Sequence, residues 1–436
     1  MKKNKFIKSS IILILGGMIT KVVGMITKIV LTRHIGTLGI GLYSMIMPTF
    51  LLLISISGFG LTTALNVLIS SDKYNNKNLI ITSLIISLSI DFIILLILFL
   101  FSNFISFNLL HNEVFKYPIL SIGFVLPFIS ISNILRSYFF SKERMLPHVI
   151  SNILEDIVKL ILIALFINYF LKNKASTLCF IIIINIFSEL SSIIIFIYKL
   201  PKFKIDKKDI TPNKNNIKQL MKISIPTTIS RLIGSITYFL EPIILTSVLT
   251  KVGYTNTYII SEYGIINGYV LPIILLPSFF MNAISQALIP TISKSYFKKD
   301  YKKVKNKLNQ ALIIATILGI LFTIVIIIFG KTLLHILYNT NQGINYIYLL
   351  TPIFLFHYIE HPLLSTLQAM NKAKINMRIS IINMIIRTLL LGILCMLRIK
   401  MYGFVISLSL NILFPSFYAW YCINKILKNK KNALTL

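Results

Sequence analysis

Charged residues are scarce in this chain, and acidic residues are the scarcest. Only 13% of the 436 residues are charged, and Asp and Glu together number 13. An average soluble domain has about 25% charged residues. Hydrophobic residues make up 56% of the chain and the mean hydropathy is +0.82. Apolar runs long enough to cross a bilayer recur along the whole length, which excludes a soluble enzyme and predicts a polytopic membrane protein.

Motifs for disulfides, metals and nucleotides are also missing. The three cysteines, Cys179, Cys395 and Cys422, lie in apolar segments without CxxC spacing, so neither a disulfide nor a metal site is expected. No GxxxxGK[ST] motif is present, which argues against an ATP site. The histidines show no metal-ligand spacing, and no cofactor is predicted.

The chain has a large excess of Lys and Arg, 44 residues that give a formal net charge of +31. Most of the lysines lie in short loops between apolar runs. That placement indicates membrane topology and contact with anionic lipids, and it argues against a nucleic-acid partner.

Hydropathy predicts an all-α protein, because lipid offers backbone polar groups no hydrogen-bond partner. Twelve transmembrane helices are predicted, at residues 9–32, 42–69, 79–105, 117–140, 148–171, 175–198, 219–249, 263–292, 308–330, 346–370, 376–397 and 402–425. Thirty of the 44 Lys and Arg lie in or beside the segments that this topology makes cytoplasmic, against eight outside. The positive-inside rule therefore places both termini in the cytoplasm.

A basic linker divides the predicted spans into six and six. Residues 199–222 read KLPKFKIDKKDITPNKNNIKQLMK, which is polar and contains two prolines. We predict an N-terminal lobe at 1–198, a cytoplasmic linker at 199–218 and a C-terminal lobe at 219–436. Six spans per lobe give both lobes the same orientation, so a pseudo-twofold axis along the membrane normal should relate them.

A repeated motif supports this duplication. Residues 20–28 read TKVVGMITK, and residues 230–238 read SRLIGSITY. Each copy places a cation, Lys21 or Arg231, within an apolar span, at a cost of roughly 2.5–3.5 kcal/mol on insertion scales. Lys28 lies two turns beyond Lys21 on the same face, although it could instead reach the outer interface. We predict that Lys21 and Arg231 face a wet central cavity. The alternative is a structural role, in which each cation faces a buried acid.

Other charged residues also fall within the spans: Asp91, Arg136, Glu155, Asp156, Lys159, Glu189, Glu241, Glu360 and Arg387. Glu155 and Lys159 have i, i+4 spacing, which favours a structural intrahelical pair. Asp91 has no local partner in sequence, so either ion coupling or pairing with another span is expected; Glu241 is a second ion-coupling candidate. Arg136 either reaches lipid headgroups or joins Arg387 and the other cations at the substrate.

Three stretches of this sequence resemble a known family. They are GGMITKVVGMITKIVLTRHIGTLGIGLYSMIMPTFLLLISISGFGLTTAL, ILRSYFFSKERMLPHVISNILEDIVK and YGIINGYVLPIILLPSFFMNAISQALIP. They are similar to the polysaccharide-biosynthesis branch of the flippase superfamily that includes multidrug and toxin extruders and lipid II flippases, and most of all to its stage V sporulation protein B-like members. The similarity covers nearly the whole chain.

The resemblance implies two lobes around a cavity in the bacterial cytoplasmic membrane and transport of an undecaprenyl-diphosphate-linked sugar. It also implies cell-wall synthesis proteins as partners and a role in sporulation. In related lipid II flippases cations on the first helix engage the diphosphate, and Lys21 and Lys28 match those positions, with Arg231 as their counterpart. Many relatives have fourteen spans, whereas twelve are predicted here. The resemblance therefore does not establish the lipid-tail groove that an extra helix pair would build.

Three functions are compared. The leading one is a flippase for peptidoglycan or polysaccharide precursors that works by alternating access. A cation-coupled multidrug exporter of the same fold would be favoured by a cavity dominated by acids such as Asp91 and Glu241. A membrane polysaccharide polymerase or ligase would need a large outer loop with catalytic groups, and the longest, 331–345, offers only Lys331 and His335. No enzymatic activity is therefore predicted.

Overall fold

The computed structural model describes residues 2–71, 74–142, 144–201 and 213–432, and within these ranges it is helical without β-strands. The helices are α1 (Lys2–Ser57), α2 (Leu61–Ser70), α3 (Asn76–Phe104), α4 (Lys116–Ser141), α5 (Met145–Phe170), α6 (Lys174–Lys199), α7 (Lys214–Lys251), α8 (Asn256–Gly264), α9 (Leu271–Ile274), α10 (Ser278–Phe297), α11 (Tyr301–Tyr338), α12 (Ile344–Ala369), α13 (Ala373–Met396) and α14 (Tyr402–Asn432). Helices satisfy their own backbone hydrogen bonds, which is what a lipid environment requires.

The first helix is too long to be one span. A helix of 56 residues extends about 84 Å, while the hydrocarbon core is about 30 Å thick. The backbone leaves helical geometry at Gly36, where φ is 66°. A residue without a side chain adopts this conformation readily, so Gly36 divides α1 into the two predicted spans.

The described helices account for each predicted span. By length and apolar composition nine stretches of the described chain can cross a membrane, and the pair Asn256–Ile274 and Ser278–Ser285, bent by 53°, makes a tenth. Leu15–Ser70 counts as one of the nine although it contains two predicted spans. The 26-residue α5 supplies the remaining one, and it carries three charged residues at Glu155, Asp156 and Lys159. The number twelve is consistent with this arrangement and stays a prediction.

The chain forms two compact units, Met1–Ile243 and Ile244–Leu436. In the first unit α5 packs against α1 and α6, and α4 packs against α3 and α6. One apolar cluster joins α2, α3, α4 and α6 to the start of α7, with Leu65, Leu79, Phe139, Phe196 and Leu220 fully buried. The side chains of this cluster fix the helices that later carry the polar groups.

In the second unit α12 packs against α10, α11 and α14, and α13 packs against α14. A central cluster contains Leu308, Leu363, Leu367 and Ile423. An open groove of about 530 Å³ is lined only by apolar and aromatic residues, namely Ile386, Leu390, Leu410, Leu413, Phe414, Phe417, Tyr418 and Tyr421. The groove therefore offers packing surface and almost no hydrogen bonding.

Most of α7 belongs to the first unit, because the unit boundary falls at Ile243 within that helix. Asn216 donates to the Asn78 side chain at 2.7 Å. Gly60, with φ at 58°, lies so close to α7 that a Cβ atom there would be 2.6 Å from the Ser224 carbonyl oxygen. The predicted linker at 199–218 lies largely outside the described residues, and the predicted lobe division stays a prediction.

Candidate functional site

A polar cavity of about 360 Å³ opens within the first unit. Its volume lies in the range of small-molecule sites, about 300–1,000 Å³. It is lined by Ile54, Ser55, Gly58, Thr62, Asn66, Asn133, Arg136, Ser137, Phe140, His148 and Arg231. Two arginines from α4 and α7 thus share a wall with amide and hydroxyl side chains, which makes the cavity suited to an anionic, hydrogen-bonding ligand.

Helix α4 supplies one face of the cavity. Asn133, Arg136, Ser137 and Phe140 have i, i+3, i+4 and i+7 spacing, which places them on one side of a helix. Only Arg136 of these residues was predicted as a site residue. The spacing of polar side chains along α4 was the signal in the sequence that could have identified the others.

Arg136 is paired with an acid and is partly exposed. Its Nη2 atom donates to Glu155 Oε2 at 2.8 Å and lies 3.5 Å from the Ser132 hydroxyl. Within the described residues its buried Nε atom has no hydrogen-bond partner. Both side chains of the pair keep about a quarter of their surface exposed, 22% for Arg136 and 24% for Glu155. The guanidinium therefore lines the cavity while it is paired with Glu155, and an anionic ligand would compete with that carboxylate for it.

Arg231 is exposed and contacts only neutral groups. Its Nη2 atom donates to the Thr63 hydroxyl at 3.0 Å, and its Nη1 atom to the Thr62 hydroxyl at 3.4 Å. Among the described residues no carboxylate cancels its charge. The threonines orient the guanidinium while its positive charge stays available to an anion.

Neutral side chains surround the two arginines. The hydroxyls of Ser55 and Ser235 are 2.7 Å apart, which links α1 to α7. Ser141 donates to the Asn66 amide oxygen at 3.0 Å. His148 of α5 lines the cavity with a buried Nδ1 atom that has no partner in the described chain. These groups can donate and accept hydrogen bonds without adding charge.

The predicted cations of the first helix lie elsewhere in this unit. Lys21 is exposed on α1 and interacts electrostatically with Asp156 of α5. Lys28 is partly buried. Neither lysine is among the residues that line the cavity. Gly16 explains the close approach of α1 to α5, since a Cβ atom there would be 2.2 Å from a methyl carbon of Val149.

The predicted intrahelical pair of Glu155 and Lys159 is replaced by contacts between helices. Glu155 accepts from Arg136 of α4, and Lys159 donates to the Asn185 amide oxygen of α6 at 2.8 Å. Spacing alone predicted a local partner, but partners on neighbouring helices are available when α5 is packed among α1, α4 and α6. The contact between Glu155 and Arg136 connects α5 to the cavity.

Asp91 on α3 is fully buried. Neither of its carboxylate oxygens meets a donor at hydrogen-bonding geometry in the described chain, although the Ser57 and Ser130 hydroxyls lie beside it. Those two hydroxyls are 2.8 Å apart. Glu241 of α7 is also buried, with 5% of its surface exposed. The role of Asp91 in ion coupling stays a prediction.

Arg387 belongs to the second unit and is partly buried on α13. Its carbonyl oxygen accepts from the Ser407 hydroxyl at 3.4 Å, which joins α13 to α14. The structure therefore assigns Arg136 and Arg231 to one cavity and places Arg387 in a different unit.

Long apolar helices around a polar cavity define a membrane transporter. The profile of the polysaccharide biosynthesis protein family matches residues 6–296, about two thirds of the chain, and the MatE profile matches residues 234–393. The chain belongs to the polysaccharide biosynthesis protein family, within the superfamily of multidrug and toxin extruders.

Curated relatives agree with this assignment. Stage V sporulation protein B of Bacillus subtilis is 32% identical over 409 residues, which cover 90% of this chain and 78% of that protein. Capsular polysaccharide biosynthesis protein CapF of Staphylococcus aureus is 26% identical, over 82% of this chain and 85% of that protein.

Solved structures show the same fold. An inward-facing multidrug resistance transporter of the MATE family superposes with a TM-score of 0.73 at 15% identity, over 94% of this chain and 96% of that chain. A transporter of the same superfamily from Pyrococcus furiosus, described as having a binding pocket of reverse polarity, gives a TM-score of 0.63 at 14% identity, over 98% and 96%. The predicted fold, a helical membrane protein like these transporters, is confirmed.

Proposed function

We propose that this protein is a flippase that moves undecaprenyl-diphosphate-linked sugars, precursors of peptidoglycan or another polysaccharide, across the bacterial cytoplasmic membrane. The observation that carries the proposal is the convergence of Arg136 and Arg231 on one cavity. The sugar and the diphosphate of such a lipid must cross a region that solvates charge poorly, so a carrier has to replace the water that they lose.

The diphosphate matches the two guanidinium groups. Arginine presents planar, paired N–H donors that fit phosphate oxygens, and each charge-assisted hydrogen bond contributes about 1.5–3 kcal/mol. Arg231 brings a charge that no carboxylate of the described chain cancels, and Arg136 brings a guanidinium that a phosphate would take from Glu155. The two side chains come from different helices, so a phosphate that binds both would link α4 to α7.

The neutral groups of the cavity suit the sugar. Asn66, Asn133 and Ser137 offer amide and hydroxyl groups at the same wall as the arginines. Hydroxyl and acetamido groups of a saccharide both donate and accept hydrogen bonds, and such side chains satisfy them without a net charge. A purely apolar drug would leave these polar groups unpaired, which costs affinity.

The names of the relatives support a role in envelope synthesis. One relative is a sporulation protein and another a capsular polysaccharide biosynthesis protein. In this proposal the chain works by alternating access with both termini in the cytoplasm, and it receives its lipid from cell-wall synthesis proteins. The lysines Lys21 and Lys28 guide the anionic headgroup along the first helix.

The test is reconstitution in liposomes with fluorescent lipid II, a fluorescent undecaprenyl-diphosphate monosaccharide and a fluorescent phospholipid as a control cargo. A membrane-impermeant quencher reports which leaflet holds each lipid. We expect protein-dependent movement of the diphosphate lipids and none of the phospholipid. Equal movement of all three lipids, or of none, would contradict the proposal.

The second candidate is a cation-coupled multidrug exporter, favoured by the buried Asp91 and by the likeness to MATE-family structures. The same liposomes can be loaded with a fluorescent cationic drug under an imposed proton or sodium gradient. Gradient-driven drug transport without movement of the diphosphate lipids would select this candidate.

A further inference from the structure

A second set of ionisable groups interacts with Arg136 and is not among the residues that line the cavity. Glu189 of α6 is buried, with 7% of its surface exposed, and its Oε2 atom has no hydrogen-bond partner in the described chain. It interacts electrostatically with Glu155, the carboxylate that holds Arg136. Arg136 is therefore shared between the cavity and a pair of carboxyl groups.

We propose that Glu155 and Glu189 form a proton-binding site that is filled when the substrate's phosphate takes Arg136. This inference rests on the proposed function, because it requires that an anionic headgroup enters the cavity. A phosphate oxygen accepts the Arg136 donors and replaces Glu155 Oε2. Glu155, deprived of its ion-pair partner beside a second buried carboxyl, takes up one proton from water.

The charges balance in this exchange. One phosphate negative charge enters the neighbourhood of Arg136, and one proton enters with it, so the net charge of the buried region is unchanged. Without the proton, an unpaired carboxylate would be left partly buried beside Glu189, which is strongly unfavourable. When the phosphate leaves, Glu155 recovers Arg136 and releases the proton.

Besides Arg136, four polar or charged groups from α4, α5 and α1 surround the two acids. Ser132 lies beside Glu189 on the α4 side, and Lys159 and Asp156 lie on α5. Lys21 of α1 acts on Asp156. Lys159 is held by Asn185, so it does not replace Arg136 as the partner of Glu155.

A proton fits this site better than a metal ion does. Metal ions require several oxygen ligands in a shell around the ion, and within the described residues no group of three or more carboxyl, imidazole or thiol side chains is arranged to hold one. A proton needs only one carboxyl oxygen.

The experiment is isothermal titration calorimetry of undecaprenyl diphosphate into the detergent-solubilised protein, repeated in two buffers with different heats of ionisation. The difference between the buffers gives the protons taken up per lipid bound. We expect uptake of about one proton for the wild-type chain near neutral pH. Glu155→Gln, which mimics the protonated acid, should bind at least as tightly with that uptake lost.

Glu113→Gln, at an exposed acid of the first unit, is the matched control and should behave as the wild type. Infrared difference spectra of the wild-type protein provide a measurement that needs no variant, since lipid binding should produce a protonated-carboxyl band. Binding without proton uptake, or unchanged uptake in Glu155→Gln, would overturn this inference alone. A wild-type chain that binds no undecaprenyl diphosphate would overturn the proposed function as well.

Discussion

The cavity of the first unit and the groove of the second unit differ in chemistry far more than in size. The cavity encloses about 360 Å³ and is lined by two arginines, two asparagines, a histidine and several hydroxyls. The groove encloses about 530 Å³ and is lined by aliphatic and aromatic side chains. Of these two pockets, the one in the first unit carries the polar lining, while the groove offers mainly apolar packing surface.

The contacts of the charged residues can be compared in the same way. Arg136, Glu155 and Lys159 form contacts between helices of the first unit. In the second unit His357 contacts Glu360 of the same helix at 3.2 Å. A contact between helices couples their positions to the charge state of the pair, whereas a contact within one helix does not. The second unit also has a contact between helices at an acid, in which the Tyr346 hydroxyl of α12 donates to Glu262 of α8. The Arg136–Glu155 contact of the first unit differs from it because both partners carry a charge.

The largest effect, on stability, should come from a substitution at the contact that fixes α7 beside the cavity. Gly60→Ala would place a Cβ atom 2.6 Å from the Ser224 carbonyl oxygen at a backbone conformation that L residues rarely adopt. We expect a loss of about 3 kcal/mol in stability. The measurement is thermal unfolding in detergent, followed by fluorescence of the single tryptophan or by size-exclusion after heating.

Gly392→Ala is the control for that substitution. Gly392 lies in a helix of the second unit, and a Cβ atom there would meet nothing within 4 Å. Alanine is favoured over glycine in helices by about 1 kcal/mol in water, so stability should be unchanged or higher. If both alanine variants unfold alike, the close approach of α7 to Gly60 does not limit stability.

Asp91 tests whether the first unit also carries ion coupling. Asp91→Asn keeps the size of a fully buried side chain and removes its ability to bind a proton or sodium ion. The lipid should still bind, because Asp91 does not line the cavity. Flipping should lose its acceleration by an imposed ion gradient, as measured with the quencher assay. An unchanged gradient dependence would remove Asp91 as a coupling site.

Substitution of Lys21 should have a smaller effect, on binding of the lipid. It is exposed and interacts with Asp156, and exposed pairs contribute about 0–1 kcal/mol. Lys21→Ala should therefore weaken binding of undecaprenyl diphosphate less than about fivefold, and Lys21→Arg should restore it because the charge is kept. Calorimetry measures both. A loss that arginine does not restore would indicate a requirement for the lysine itself.

A substitution in the groove should have the smallest effect on binding of the headgroup. Phe417→Ala removes an aromatic ring from a surface without charged or amide groups. Binding of a soluble diphosphate sugar that lacks a lipid chain should change by less than about twofold, since Phe417 does not line the cavity. Competition against the labelled lipid measures it. A larger change would show that the two regions are not independent.

The sequence predicted the helices well because hydropathy and the backbone's need for internal hydrogen bonds leave a span little choice of structure. It located Arg231 through the repeated motif. It did not identify Glu155 as the partner of Arg136, because that contact joins α5 to α4 across 19 positions of the chain. Partners on other helices depend on packing that local spacing does not encode.

The polar lining of the cavity shows the same limit. Asn133 and Ser137 share a helical face with Arg136, so their position was accessible from spacing, but Asn66 and His148 come from other helices. Nothing local in the sequence connects them to Arg136. The cavity results from the packing of five helices, and each contributes only one to four of its residues.

The most direct measurement is the affinity of undecaprenyl diphosphate for the wild-type chain and for Arg231→Ala, Arg136→Ala and Arg387→Ala, with undecaprenol as the uncharged ligand. The account predicts that Arg231→Ala and Arg136→Ala each weaken diphosphate binding about tenfold or more, since one charge-assisted contact contributes about 1.5–3 kcal/mol. Arg387→Ala should have a smaller effect, and undecaprenol should bind all four proteins alike. Equal losses in the three variants, or no loss in either cavity variant at normal protein levels, would contradict the assignment of the phosphates to this cavity.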